Sequence, residues 1–375
     1  MEKVKLKMKK PFKIFVKIVS IILIILLILF IIWTIILDSF RSIGYSKAAT
    51  INIFKEFKIQ VATDNPNNKT LNAAFESDDY KEKNINHYIK IKYHKGKDLV
   101  SNINKLISKG YTDREINIIL SHGNNDDVKE FAKKDKISYI DEFYSYSFAK
   151  LKNYDRYITF MDNEGDDEED TIIKVNLDLD KENYKDPIKT NDYSKNVLAN
   201  KHHYLGSKYV PKLVSVPSKY LLDKSDKVKG TSEAVNAAIN MINAASKDSL
   251  NLRINSGYRS YKDQEETYNY YKDLYGESYC RKYVILPGYS EHQTGYAFDF
   301  GSLSSKIFED SKEYEWMVKN AYKYGFIYRY QKRFEDLTGV RHEAWHFRYV
   351  GKKASKIMDS ENMPFEEYYV KYLDK

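Results

Sequence analysis

Ile18 to Leu37 is an apolar run interrupted only by Ser20 and Thr34, long enough to cross the hydrocarbon core of a bilayer as a helix. Lys3, Lys5, Lys7, Lys9, Lys10, Lys13 and Lys17 precede it. Basic flanks stay on the cytoplasmic side, so the pattern predicts a cytoplasmic tail over 1–17, a signal anchor over 18–37 and an external chain after Asp38. A cleaved signal peptide ending near Ala48-Ala49 is the alternative; the apolar run is longer than such peptides carry.

After the anchor the pattern becomes mixed. Residues 38–80 read as a juxtamembrane segment and linker, with the polar run from Thr63 to Thr70 as its loop. Ile85, Ile89, Ile91 and Tyr93 share one parity, which predicts a strand. Thr112 and Glu115 form a capping box ahead of a helix through Ile116, Ile119 and Leu120. A helix over 128–134 and a strand over 137–140 complete an expected small α/β domain, 81–160, with no catalytic set of its own. The acidic run from Asp162 to Asp170 reads as a solvated loop inside a linker, 161–190. It has no glycine at the required position and no closing bidentate glutamate in the arrangement of an EF-hand calcium loop.

From 191 to 375 the pattern predicts an α+β domain, a small antiparallel sheet flanked by helices. Thr231 or Ser232 caps a helix whose apolar stripe is Val235, Ala238, Ile239, Ile242 and Ala245, and a strand follows over 252–255. Ser260 caps a helix running to Gly276, and another runs from 311 to 324 and stops at Gly325. Trp345, Phe347 and Tyr349 alternate as in a strand. His202 and His203 read as surface or structural residues.

The formal charge is +8, from 61 basic and 53 acidic residues. Residues 1–37 hold seven lysines and one glutamate, so the remainder carries only +2. That charge gives no nucleic-acid footprint. One cysteine, Cys280, excludes an intramolecular disulfide. Among Tyr279, Tyr283 and Val284 it reads as a packed thiol.

The chemistry concentrates in two short stretches, Ser290-Glu-His292-Gln-Thr-Gly295-Tyr-Ala297-Phe-Asp299 and Glu343-Ala-Trp345-His346. A catalytic zinc takes three nitrogen or oxygen ligands and leaves one position open. His292, Asp299 and His346 fit that set, and Glu343 is the candidate general base. A competing reading takes His342-Glu-Ala-Trp-His346 as a helical zinc motif with Glu366 as a distant third ligand. Gly339 and Gly351 bracket too short a run for that helix, and the alternating aromatics favour a strand. Glu343 and His346 then point to opposite faces unless a bulge or the strand's end intervenes.

With these residues in view, Ser-x-His-x-x-Gly-x-Ala-x-Asp followed by Glu-x-Trp-His resembles the signature of the VanY-like D-alanyl-D-alanine carboxypeptidases. The likeness extends to Asn200-Lys201, Tyr209-Val-Pro211, Ser256-Gly-Tyr258-Arg259-Ser260, Gln264, Tyr324-Gly-Phe-Ile327, Arg329-Tyr330 and His346-Phe-Arg-Tyr-Val-Gly351. It covers roughly 190 to 360. Gln331 and Ala344 depart from it, each standing where the family often has proline.

The resemblance implies that His292, Asp299 and His346 hold Zn2+, that Glu343 is the catalytic base, and that Arg259 stabilises the oxyanion. It also implies that Ser290 and Gln264 contact the substrate's terminal residue. The expected activity is removal of the terminal D-alanine from peptidoglycan stem peptides, D,D- or L,D-specific, at the outer face of a bacterial membrane. The alternatives are a zinc endopeptidase of wall cross-bridges and a catalytically silent wall-binding protein. Residues 81–160 would then be a spacer or a wall-binding module.

Overall fold

The structure, a computed structural model, describes residues 10–374. Lys3, Lys5, Lys7 and Lys9 of the expected basic tail lie outside the described residues. α1 (Lys10–Ser42) contains the whole apolar run and is long and apolar enough to cross a membrane. Its side chains from Phe12 to Ile32 are exposed. The chain divides into two compact units: the described residues up to Ser145 with Lys150–Lys152, and Tyr146–Ala149 with Asn153–Lys375.

The first unit is helical, and two expectations are corrected there. After α1 come α2 (Lys47–Lys55), α3 (Ile59–Asp64), α4 (Lys69–Glu76), α5 (Ile85–Lys90), α6 (Leu99–Ser108), α7 (Asp113–Ser121), α8 (Asn125–Phe131) and α9 (Ile140–Phe143). Residues 38–80 are therefore not a linker: Tyr45, Ile53, Leu71 and Phe75 are buried. The polar run shrinks to a turn whose Asn68 caps α4 by accepting from Leu71 N. The strands expected over 85–93 and 137–140 are also absent among the described residues. Asn84, Tyr88 and Ile91 are buried while Tyr93 is 46% exposed, a spacing of four then three that belongs to a helix. Ile85 and Ile89, which share one parity on a strand, are equally one helical turn apart. The capping box of Thr112 and Glu115 forms at α7 as expected.

In the second unit, α10 (Tyr154–Glu164) and α11 (Glu168–Asn176) occupy the stretch read as an acidic linker. Asp167 caps α11, and Glu168, Glu169 and Asp170 fill its first turn, where negative charge meets the positive end of the helix dipole. Ile173 and Leu177 join a core with Val350, Met358 and Phe365, so this segment is part of the fold. β1 (Ile188–Lys189) pairs in parallel with β2 (His203–Tyr204), and β3 (Val214–Ser215) pairs antiparallel with β4 (Lys229–Gly230). His202 and His203 are buried, and Asn200 Oδ1 accepts from the backbone N–H of both.

The remaining elements are α12 (Ser232–Lys247), β5 (Leu252–Ser256), α13 (Tyr261–Tyr275), α14 (Glu277–Tyr283), β6 (Ala297–Ser302), α15 (Lys312–Asn320), β7 (Phe326–Tyr328), α16 (Glu335–Thr338), β8 (His346–Tyr349), α17 (Lys352–Glu361) and α18 (Phe365–Tyr368). Cys280 in α14 is buried, its Sγ 3.7 Å from Tyr268 O. Four strands make an antiparallel sheet in the order β5-β6-β8-β7. Successive side chains alternate between its faces. Phe298, Phe300, Phe326 and Phe347 point one way and pack with Ala234, Ala238, Met241 and Ile242 of α12. Gly230 keeps that core tight, because a Cβ there would stand 2.4 Å from the Phe298 ring. Phe298→Ala is expected to destabilise the unit by about 3–5 kcal/mol, measured by urea unfolding of the full chain in detergent.

Candidate functional site

The opposite face of the same sheet carries the chemistry. Asp299 of β6 stands directly across from His346 of β8 in the antiparallel register, and cross-strand partners place their side chains side by side. His346 Nδ1 lies 3.1 Å from Asp299 Oδ1. The second histidine arrives on a 3₁₀ turn, Glu291–Thr294, capped by Ser290 and ended by Gly295 at φ 71°. His292 Nε2 lies 3.5 Å from Asp299 Oδ2. Ligand atoms of His292, Asp299 and His346 all fall within 4.8 Å of one another, and all three residues are buried.

Each imidazole meets a buried acceptor on its other nitrogen. His292 Nδ1 is 2.7 Å from the Gly257 carbonyl, which leaves Nε2 for a cation. The register of β5 against β6 shifts between Ile254 and Ser256, and this irregularity delivers Gly257 to the site. A Cβ on Gly257 would meet Lys229 O at 2.6 Å, so the close approach needs glycine. His346 has the reverse arrangement, with Nε2 3.2 Å from Glu291 Oε2 and Nδ1 facing Asp299. Two nitrogens and one carboxylate oxygen at this spacing fit the donor set of a catalytic zinc.

Burial and the charges around it shift each titratable group of the site. Burial pushes the Asp299 carboxyl up, but His292, His346 and Arg259 together pull it down to about 2. Burial lowers His292 to about 4. For His346 burial acts the same way, yet hydrogen bonds to Asp299 and Glu291 hold it up at about 9. Glu343 behaves differently: burial raises its pKa, with His346 pulling the other way.

β8 begins at His346, so Glu343 sits in the turn before it, and His346 N donates to Glu343 O at 3.1 Å. The strand's end thereby resolves the parity conflict, and Glu343 Oε2 comes within 3.8 Å of His346 Nδ1. No helix forms over 342–346. His342 instead contacts Glu309 Oε1 at 2.8 Å and Tyr328 OH at 3.0 Å. Glu366 binds Arg329 with both oxygens. The helical zinc motif is therefore not built.

Arg259 Nη1 donates to Gln264 Oε1 at 2.9 Å, and Gln264 Nε2 donates to Ile285 O at 2.7 Å, which orients the guanidinium. All seven residues singled out from the sequence line one cleft of about 570 Å³, together with Trp345 and Tyr283. Two contributors have no role assigned by the sequence: Glu291, and Tyr330, whose ring stacks on His346 at 4.8 Å. Both adjoin motif residues, but only the fold shows which way they turn.

A family model for D-alanyl-D-alanine carboxypeptidase, VanY, matches residues 227–352. The Bacillus subtilis (strain 168) protein named "Putative carboxypeptidase YodJ" is 38% identical over 195 residues, which is 50% of this chain and 71% of that protein. The chain belongs to the VanY family. This VanY-family chain is also 40% identical over 129 residues to a D-alanyl-D-alanine carboxypeptidase of Enterococcus faecium, spanning 34% of itself and 40% of that relative. Among solved structures, the LdcB LD-carboxypeptidase is 37% identical over 49% of this chain and 90% of that one, with a TM-score of 0.46.

Replacing His292, Asp299 or His346 singly by alanine is expected to strip zinc from the VanY-family chain, whereas His342→Ala keeps it. Metal analysis of the purified variants reads this directly, and a zinc-free His342→Ala protein would reverse the assignment.

Proposed function

We propose that the protein is a zinc-dependent carboxypeptidase that removes the terminal D-alanine from peptidoglycan stem peptides, facing the wall from a single membrane anchor. The observation that carries this reading is the convergence of three buried ligand side chains, a carboxylate with a raised pKa and an oriented guanidinium on one cleft. Family membership supports the substrate class. The lysines before α1 and the exposed apolar surface of the helix support the topology.

Held by His292, Asp299 and His346, zinc supplies Lewis acidity and an acidified water. Glu343 takes the proton from the attacking water and passes it to the departing amine; a pKa raised by burial suits a group that must do both. Arg259, oriented by Gln264, faces the negative charge that develops on the scissile carbonyl oxygen, and a fixed charge favours that transition state over the ground state. Ser290 and Gln264 border the part of the cleft where the terminal residue sits.

Incubating the full chain with defined tripeptide to pentapeptide stems and reading products by mass spectrometry tests the activity. Loss of one D-alanine is the expected result, and the stem that loses it sets D,D- against L,D-specificity. An internal cut, or no product, would overturn the reading.

Glu343→Gln keeps size while removing basicity, so zinc content should stay normal and kcat should fall by about 10² or more. Arg259→Ala should lower kcat comparably, by roughly 10² or more, through lost oxyanion stabilisation. If Glu343→Gln loses zinc, it is a ligand and the roles must be redrawn. A reporter fused after Asp38 should be active outside the cell; protection of the following chain from protease added to intact protoplasts would reverse the topology.

A further inference from the structure

A buried chain of charges runs away from the site toward the C-terminal segment. His346 presents Nε2 to Glu291 Oε2. The Glu291 side chain is 0% exposed, and a carboxylate in that position is tolerated only when paired. Its other oxygen accepts from Arg329 Nε at 2.8 Å, with Arg348 Nη1 3.5 Å away. Arg329 directs its two remaining donor groups at both oxygens of Glu366, Nη1 at 2.8 Å. Its guanidinium lies 4.7 Å from the Tyr330 ring centre and 5.6 Å from that of Phe365.

Glu366 is fully buried in α18, beyond the residues that the family match covers. Two carboxylates and two guanidiniums thus balance in the interior, and the chain ends on a ligand's ring. With one N–H of each Nη engaged by Glu366, Arg329 meets Glu291 through Nε, which sets the angle at which Glu291 receives the imidazole N–H. Neutralising Glu366 would free the guanidinium to turn onto Glu291 with its Nη groups and draw that carboxylate from His346. An imidazole whose remote N–H is anchored by a carboxylate is oriented, and its other nitrogen is a better metal donor.

We propose that Glu366, acting through Arg329 and Glu291, is a positioning residue for metal binding at His346. The proposal rests on the reading of His346 as a ligand through Nδ1. Zinc affinity of the detergent-solubilised full chain, measured by competition with a chromophoric chelator, tests it. Glu366→Gln should weaken zinc binding about tenfold and Glu291→Gln by about 10- to 100-fold. The double variant should bind no more weakly than Glu291→Gln alone, since one acts through the other. A Glu366→Gln protein with unchanged affinity and only a lower unfolding temperature in the metal-free state would make Glu366 merely structural and overturn the proposal; additive losses would overturn the route through Glu291.

Because neutralising a buried partner can prevent folding, the wild type supplies a second measurement. Nitrogen-15 spectra of the zinc-loaded chain with labelled histidine should show His346 bound through Nδ1 and His292 through Nε2. Attachment of His346 through Nε2 overturns the relay while leaving the proposed function standing. Zinc retained by His346→Ala would instead overturn the metal site and the relay together.

Discussion

The antiparallel pairing of β6 with β8 sets Asp299 opposite His346, and the rest of the site depends on that register. Strand alternation then assigns Phe298, Phe300 and Phe347 to the core and Asp299, His346 and Arg348 to the other face. A slip of one residue would exchange the two sets, placing carboxylate and imidazole among phenylalanines. The bulky core that resists such a slip is therefore also what holds Asp299 and His346 side by side. Packing and chemistry are two faces of one strand pair.

Burying so much charge is costly, and the second unit offsets the cost by pairing Glu291, Arg329 and Glu366 with one another in its interior. Glu291 lies between His346 and Arg329; Arg329 lies between two glutamates; Arg348 Nη2 also donates to Val197 O at 2.9 Å. Desolvation strengthens each of these interactions. It also raises Glu343, although His346 Nδ1 lies 3.8 Å from its Oε2. One physical condition thus acts on both carboxyls, and the surrounding charges decide that Asp299 is lowered while Glu343 is raised.

The family match begins at 227, yet the second unit draws its core from residues well before and after it. α11 contributes Ile173 and Leu177, and α17 and α18 contribute Met358 and Phe365. What looks like linker and tail in a motif-centred view forms the packing that surrounds Arg329 and Glu366.

Local physics made much of this protein legible in one dimension. The uninterrupted apolar run of α1, the capping boxes at Thr112 and Ser260, and the clustered His, Asp and Glu residues act over a few positions, so the sequence alone determines them. At Ile85 to Tyr93 residues four apart satisfy strand parity and a helical turn alike, and only burial against neighbouring helices separates the two. Tertiary structure likewise decided that Glu343 turns into the cleft, that His342 does not, and that the two histidines turn opposite nitrogens toward Asp299. Partners such as Glu291 and His346, 55 residues apart, or Arg329 and Glu366, 37 apart, meet only after register and packing are complete, and no local pattern encodes such a meeting.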